Sequence, residues 1–407
     1  MVVRLYSHMV RSFVEKRWIP EGMPGFYKLV EAFNRRGIKV QVLFLCKDIL
    51  PTVPSVQNQV FEELEHIRFS IVPLRMKPKT RFARIRNEVY QFWIVWKYFC
   101  KCRYNLIYCD RIHIHFAAFF ALLKQKVIVR LFGVASLPET LKKPGFDWFA
   151  WLHCLSFRAP FKYVICSKDG SPGNAFMVRH MRAGLSKECL FNGVDAVSQA
   201  DGDMGDFDLR KKYRLKPDTP IILTTGNLKP DKSSEIFLEA VARFAQTAPD
   251  FLVINVGDGP LRDMLERKVD EYDLKDRIIY TGRVPHQAVY NFLLQANIYV
   301  SLNLYGNLSN AVLEAMKAGK CIVTLDKCAV SGRDEHLDDV ELHDALVLID
   351  RERIMMDLPN ALMALIKCPE VVQEKERLMQ LFANKHLKSW DERIAHEIEL
   401  LIRQVKC

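Results

Sequence analysis

The 407-residue chain lacks several features that would have placed it in a simple class. No stretch approaches the roughly 20 consecutive apolar residues a bilayer-crossing helix needs. The longest uncharged run of that character, Ile112 to Leu123, carries two histidines. The N-terminus, Met1-Val-Val-Arg-Leu-Tyr-Ser-His, has no apolar segment ending at a small-residue cleavage site, so a cytoplasmic chain is expected. Its 11 cysteines form no Cys-x-x-Cys pair, and their odd number in so long a chain reads as reduced thiols. Cys100 and Cys102 stand too close together, with no second pair, to suggest zinc. The formal charge is +11, yet no helix-turn-helix, zinc-finger or RNA-recognition signature accompanies it, so nucleic acid is not an expected partner. With 49% hydrophobic and 26% charged residues, disorder and coiled coil are excluded, and the length fits two or three domains with full cores.

What is present is an alternation of short β-branched or aromatic runs with amphipathic stretches, the pattern of parallel sheets flanked by helices. In the first half the strand-like runs are Lys39–Leu45, Tyr104–Cys109, Lys126–Leu131 and Phe161–Cys166. Phe26, Leu29, Val30 and Phe33 recur at helical spacing before Gly37, a helix stop. A polar stretch from Ala196 to Pro220 marks a boundary. Beyond it five strands are expected, at Ile221–Thr225, Phe251–Val256, Arg277–Thr281, Ile298–Leu302 and Cys321–Leu325. The expected fold is α/β with two doubly wound, Rossmann-like sheets: an N-terminal domain over 1–198, a C-terminal domain over 199–385, and a helix over 386–407 crossing back to the first. Ligands of such sheets lie beyond the carboxyl ends of the strands, so the function is expected in a cleft between those ends.

Three segments carry chemistry. Gly226-Asn-Leu-Lys-Pro-Asp-Lys232 places a glycine turn and two lysines where a helix begins, suiting either a diphosphate or an ordinary loop with solvated lysines. Gly257-Asp-Gly259-Pro260 is a second tight turn with proline at a helix start. In Asn303-Leu-Tyr-Gly-Asn-Leu-Ser309-Asn-Ala-Val-Leu-Glu314, the spacing predicts a helix opening at Leu308, with Asn307, Asn310 and Glu314 on one polar face. Glu314 is placed to accept a ribose diol, or is a solvated surface glutamate.

The ordered series Asn192-Gly-Val-Asp195, Gly226 to Lys232, Gly257-Asp-Gly-Pro260, Thr281-Gly-Arg283-Val-Pro285 and Leu313-Glu-Ala-Met-Lys-Ala-Gly-Lys320 resembles the donor domain of glycosyltransferase family 4. The resemblance covers about residues 190–325, and more loosely the first half and Trp390-Asp-Glu-Arg. It implies the GT-B fold and a retaining transfer from a nucleotide-sugar donor to a carbohydrate or lipid-linked acceptor, in cell-surface polysaccharide or glycoconjugate synthesis. It also implies that Lys232 holds the donor diphosphate and Glu314 the ribose hydroxyls, with Gly226, Asn227, Lys229, Gly259, Arg283, Asn307, Ser309 and Asn310 around them. Gly25, in Gly22-Met-Pro-Gly25, matches the family's glycine loop. His115, in Arg111-Ile-His-Ile-His115, matches its active-site histidine, with His113 in reserve. Gly306 stands where the family's Glu-x7-Glu motif has its first glutamate, and Asn227 where an arginine is usual. These departures motivate an alternative, a non-catalytic nucleotide-sugar-binding subunit, which a glutamate restored at Gly306 would probe. No Asp-x-Asp is placed for a metal–diphosphate bridge, so neither metal nor cofactor is expected.

One feature stands outside this set. A cationic run, Lys77-Pro-Lys-Thr-Arg-Phe-Ala-Arg-Ile-Arg86, leads into Tyr90-Gln-Phe-Trp-Ile-Val-Trp-Lys-Tyr-Phe99, and Trp148-Phe-Ala-Trp-Leu follows later. These suit an anionic membrane at the inner face, or a pair of core helices with solvated lysines.

Overall fold

A computed structural model describes residues 1–48, 53–54, 56–102, 104–134, 137, 148–195, 207–327 and 335–406. The chain divides into two compact units, Met1–Ser167 with Asn174–Gly193 and Trp390–Cys407, and Lys168–Gly173 with Val194–Ser389. The boundary expected between 198 and 199 lies outside the described residues.

The first unit is built on a seven-stranded parallel sheet, β1 (Val2–Arg4), β2 (Val40–Leu45), β3 (Ile67–Val72), β4 (Ile107–Asp110), β5 (Val127–Leu131), β6 (Tyr163–Ser167) and β7 (Lys187–Leu190), ordered 3-2-1-4-5-6-7. Its helices include α1 (Val10–Val14), α2 (Pro24–Arg35), α3 (Arg81–Lys101), α4 (Ile114–Leu122), α5 (Trp148–Phe157) and α6 (Gly173–His180). Pro24 opens α2 at a position where its missing N–H costs no hydrogen bond, and Gly37 ends the turn at φ +66°. Two cores sandwich the sheet. Phe26, Leu29, Phe44 and Phe69 pack on one face, and Phe116, Phe120, Phe157 and Val129 on the other.

The second unit holds a six-stranded parallel sheet, β8 (Ile221–Thr225), β9 (Leu252–Val256), β10 (Ile278–Tyr280), β11 (Ile298–Ser301), β12 (Cys321–Leu325) and β13 (Leu346–Ile349), ordered 10-9-8-11-12-13. Helices α7 (Leu209–Lys212), α8 (Ser234–Ala245), α9 (Arg262–Glu271), α10 (His286–Gln295), α11 (Asn310–Lys317), α12 (Val340–Ala345), α13 (Ile354–Lys367) and α14 (Pro369–His386) accompany it. β9 and β12 are buried at every position, which is why they read as continuous apolar runs rather than as alternating ones.

The last helix, α15 (Trp390–Lys406), belongs to the first unit. Trp390 lies against Gly193, where a Cβ would sit 2.8 Å from the indole and closer still to its backbone. Deeper in, the buried Glu397 carboxylate accepts a hydrogen bond from Tyr108 (2.7 Å), pairs with Arg393 (2.8 Å) and faces the buried Arg130 of β5 (3.5 Å). Burial alone would raise the Glu397 pKa, but Arg130 and Arg393 outweigh it and hold the carboxyl below its usual range.

Candidate functional site

In the second sheet β8 and β11 are neighbours from which the chain winds outward in opposite directions, so the loops leaving their carboxyl ends bound the natural ligand position. The loop after β8 is Gly226 to Lys232, and the loop after β11 is Asn303 to Ser309. The first is laced to the glycine turn after β9. Gly226 N–H donates to Val256 O (3.0 Å), Leu228 N–H to Asp258 O (3.1 Å), and Leu261 N–H to Leu228 O (3.3 Å). The approach is so close that a Cβ on Gly257, at φ +151°, would collide with the Gly226 carbonyl, and one on Gly259 with the Leu228 backbone. A small solvent-open hollow is lined here by Thr225, Gly226, Lys232, Asn255 and Tyr280 among others. Asn227 and Lys229 are exposed at its edge. Gly282 bridges to Gly257, which puts the exposed Arg283 next along the chain from the same turn.

Lys232 does not open a helix directly. It ends a single 3-10 turn, Pro230–Lys232, and Ser233 at φ +53° then redirects the chain into α8. The ammonium is partly sheltered, so its pKa is lowered by desolvation, with Asp231 and Asp169 opposing and Lys229 adding to the shift. A cation held partly out of water, opposed by few compensating charges, is suited to receive a diphosphate.

The Asn303–Ser309 loop corrects two expectations. The helix opens at Asn310, not Leu308, because Leu308 N–H donates to Asp169 O (3.1 Å) in the segment after β6 instead of entering a helical turn. Asn307 therefore lies buried in the loop, off the polar face of α11. Gly306, at φ +145°, is packed so tightly that a Cβ would lie 2.5 Å from Asp169 O and 2.8 Å from Ser171 N. Asn303 reinforces the loop by donating to Gly306 O (2.6 Å), and Leu304 N–H donates to Asp231 O (3.1 Å), joining it to the lysine loop. A glutamate at position 306 has no room, so its restoration is no longer a usable probe of lost activity.

Ser309 is the N-cap of α11, with an extended backbone and no side-chain capping bond. One turn inside, half-buried Glu314 is within 2.8 Å of His286 Nε2, the first residue of α10. Sequence reading missed His286. The signal was the proline–histidine step closing the Thr281-Gly-Arg-Val-Pro285 motif, but nothing local says that it meets Glu314. Tyr299, on β11, shares a hydrogen bond with Thr225 (2.8 Å) beneath the loops. Lys232, Glu314, Gly226, Asn227, Lys229, Gly259, Arg283, Asn307, Ser309 and Asn310 thus all lie in the second unit, on loops from neighbouring strands or the helices they lead into. Among the described residues no three His, Cys, Asp or Glu side chains gather as a metal-binding group.

Gly25 and His115 belong to the first unit. Gly25 sits in the first turn of α2, where an added Cβ would stand at ordinary contact distance from the Trp390 and Phe132 rings. His115 is inside α4 and packs on α5: its Nδ1 is 2.9 Å from Ser156 Oγ, its ring lies edge-on to His153, and burial pushes its pKa down to about 3. His113, by contrast, stands in the 3-10 turn at the carboxyl end of β4, where the first sheet reverses its winding between β1 and β4. It is fully buried, and neither ring nitrogen has a partner among the described residues. Asp110, Lys47 and Arg4 stand at or just past neighbouring strand ends. Lys47 and Arg4 lower the His113 pKa further, after burial itself.

Residues 206–338 match the family model described as Glycosyl transferases group 1. The chain is 29% identical to an alpha-D-kanosaminyltransferase of Streptomyces kanamyceticus over 36% of its own length and 36% of the relative. It is 26% identical to a phosphatidylinositol N-acetylglucosaminyltransferase subunit of Arabidopsis thaliana over 61% of its length and 51% of the relative. It thus spans between about a third and about half of these curated relatives. Among solved structures, sucrose-phosphate synthase from Thermosynechococcus elongatus superposes with TM-score 0.68 at 18% identity, covering 99% of this chain and 98% of that one. Anabaena Alr3699/HepE in complex with UDP gives 0.67 at 15%, with the same coverage. The fold is therefore the α/β GT-B class with two Rossmann-like domains, and the part of the chain similar to the Glycosyl transferases group 1 model, residues 206–338, lies in the second of them.

Proposed function

We propose that the protein is a retaining, metal-independent glycosyltransferase of family 4 type that moves a sugar from a nucleotide-sugar donor to a carbohydrate or lipid-linked acceptor. The setting is cell-surface polysaccharide or glycoconjugate assembly, with the cytoplasmic enzyme peripheral at the inner face of the membrane. The observation that carries the reading is the junction in the second unit where the Gly226–Lys232 and Asn303–Ser309 loops meet, with Lys232 in one and α11, bearing Glu314, following the other. Transfer requires charge to grow on a departing diphosphate. A preorganised ammonium and the N–H groups opening α11 would stabilise that charge without reorganising at the moment of reaction. Glu314, already oriented by His286, would take the two ribose hydroxyls. In the first unit, His115 or His113 would be the histidine that the resemblance implies: His113 stands at a strand end, and His115 is within hydrogen-bond distance of Ser156.

Solved neighbours are described with UDP, UDP with glucose, and UDP-glucose, which makes a uridine donor the first to try. The test is a thermal-shift panel of UDP-, GDP- and ADP-sugars with and without magnesium, followed by turnover on the donor that binds. One donor should stabilise the wild type equally in either condition, and should be slowly hydrolysed without acceptor. Failure of all three to bind would sink the reading.

A further inference from the structure

Helix α3 carries polar side chains inside and large apolar ones outside. Its buried stripe is Ala83, Asn87, Gln91 and Val95, two of the four polar. Asn87 Oδ1 accepts the N–H groups of Arg75 (3.0 Å) and Met76 (3.1 Å), its Nδ2 donates to Met76 O (2.8 Å), and Gln91 donates to Cys46 O (2.7 Å). The aromatic side chains beside that stripe face α4, with Phe92 against Phe116 and Phe119, and Trp96 against Phe119. The opposite stripe faces solvent and is apolar. Phe82, Ile85, Val89 and Trp93 follow the three- and four-residue steps of one helix face, and Phe82, Val89 and Trp93 are 67%, 63% and 48% exposed. A water-facing stripe on a soluble helix is normally polar. Helix α5, which packs on α4, adds Trp151 and Leu155, both more than half exposed.

The charge around this ridge is of one sign. Between residues 75 and 101 there are eight Lys or Arg against a single acid, Glu88, and Glu88 is paired with Lys47. Lys77, Lys79, Arg84 and Arg86 are exposed, and the Lys97 ammonium lies 3.5 Å above the Trp93 ring. Asn87 hydrogen-bonds the backbone at Arg75 and Met76, which ties the start of the cationic loop to the helix that bears the ridge.

We propose that the outward face of α3, with the loop over 75–80, docks this protein on an anionic lipid bilayer: the ridge enters the interfacial zone and the surrounding cations meet lipid phosphates. A bilayer is favoured over a protein partner because large apolar side chains ringed by cations, with Glu88 the single acid along the segment and already paired with Lys47, match apolar chains beneath a sheet of negative charge. The inference gives the peripheral-membrane part of the proposed function its surface and rests on that part alone, not on sugar transfer.

The experiment is flotation of the full chain with vesicles of phosphatidylcholine alone or mixed equally with phosphatidylglycerol, at 0.1 and 1 M salt. The wild type should partition at least tenfold more strongly to the anionic vesicles, and high salt should weaken this. The triple variant Phe82→Ser, Val89→Ser, Trp93→Ser should lose at least tenfold, as should Lys77→Glu with Lys79→Glu and Arg86→Glu, while both retain wild-type circular dichroism and nucleotide-sugar binding. Equal binding by wild type and folded variants would overturn the proposal. So would no vesicle binding by a wild type that self-associates through the ridge, with the serine variant staying monomeric. Failure of the wild type to bind any nucleotide-sugar would count against sugar transfer and leave the vesicle result standing.

Discussion

Gly306 shows how one position can be legible in the sequence and still be misread. Its place in the motif suggests a lost glutamate, but its backbone occupies the left-handed region and its α-carbon is pressed on the Asp169–Ser171 backbone. Gly306→Ala should therefore destabilise the protein by about 2 kcal/mol or more, since both the conformation and the space are denied to a side chain. Gly306→Glu should do worse and rescue nothing. A Gly306→Glu protein with an unchanged melting temperature and improved turnover would overturn this account. Glu314 behaves differently, because its geometry permits the role the sequence suggests. Glu314→Ala should weaken donor binding by about 30-fold, the equivalent of the roughly 2 kcal/mol assigned to a hydrogen-bonded charged group. His286→Ala should cost no more than about fivefold, as expected for an exposed partner. Titration calorimetry on both variants would separate them, and a larger loss from His286 would mean that it, rather than Glu314, touches the nucleotide.

At the scale of elements, strands flanked by strong turns were readable. Ile221–Thr225 and Cys321–Leu325 fall where the apolar runs place them, and most others within a few residues. β1, β3, β7 and β13 were missed. β1 is three residues long, and β7 is half-buried throughout, so neither gives a periodic signal of its own; they are strands because of the neighbours they pair with. Helix α15 likewise owes its position to long-range contacts. Glu397 is ionised in a buried site only because Arg130, Arg393 and Tyr108 surround it. Its folded pKa lies below the usual glutamate value of 4.5, so the stability it contributes is fully present above 4.5 and is lost as pH falls through the lower folded value. Removing one partner of a buried charged network costs about 3–5 kcal/mol. Glu397→Ala should therefore lower the melting temperature of the first unit at pH 7 and flatten its decline as the pH falls below 4.5. An unchanged acid limb in the variant would show that other carboxylates dominate.

For the molecule as a whole, two units with separate cores should unfold in two calorimetric steps, and only the second unit carries the proposed nucleotide site. A nucleotide-sugar at about 100 times its dissociation constant adds about 2.7 kcal/mol to the state that binds it. For a unit of this size that is a rise of roughly 5–10 °C, confined to one step. Glu397→Ala should move the other step. If nucleotide shifted both steps equally, the units would not be thermodynamically separable.

Local signals were enough for the α/β class, the two series of strands and the glycine turns, because apolar periodicity and turn chemistry act over a few residues and leave their pattern in the chain; for Lys232 and Glu314 they left a bland reading equally open, and only the ordered series of motifs singled them out. They could not say that Asp169, far back along the chain from Gly306, fills its glutamate space, that His286 meets Glu314, or that His115 meets Ser156 while His113 stands at the strand end. Nor could they tell which side of α3 faces water, since aromatic residues occur on both. Each of those outcomes depends on strand order and on which surfaces pack together, and such contacts join residues whose proximity no local pattern records.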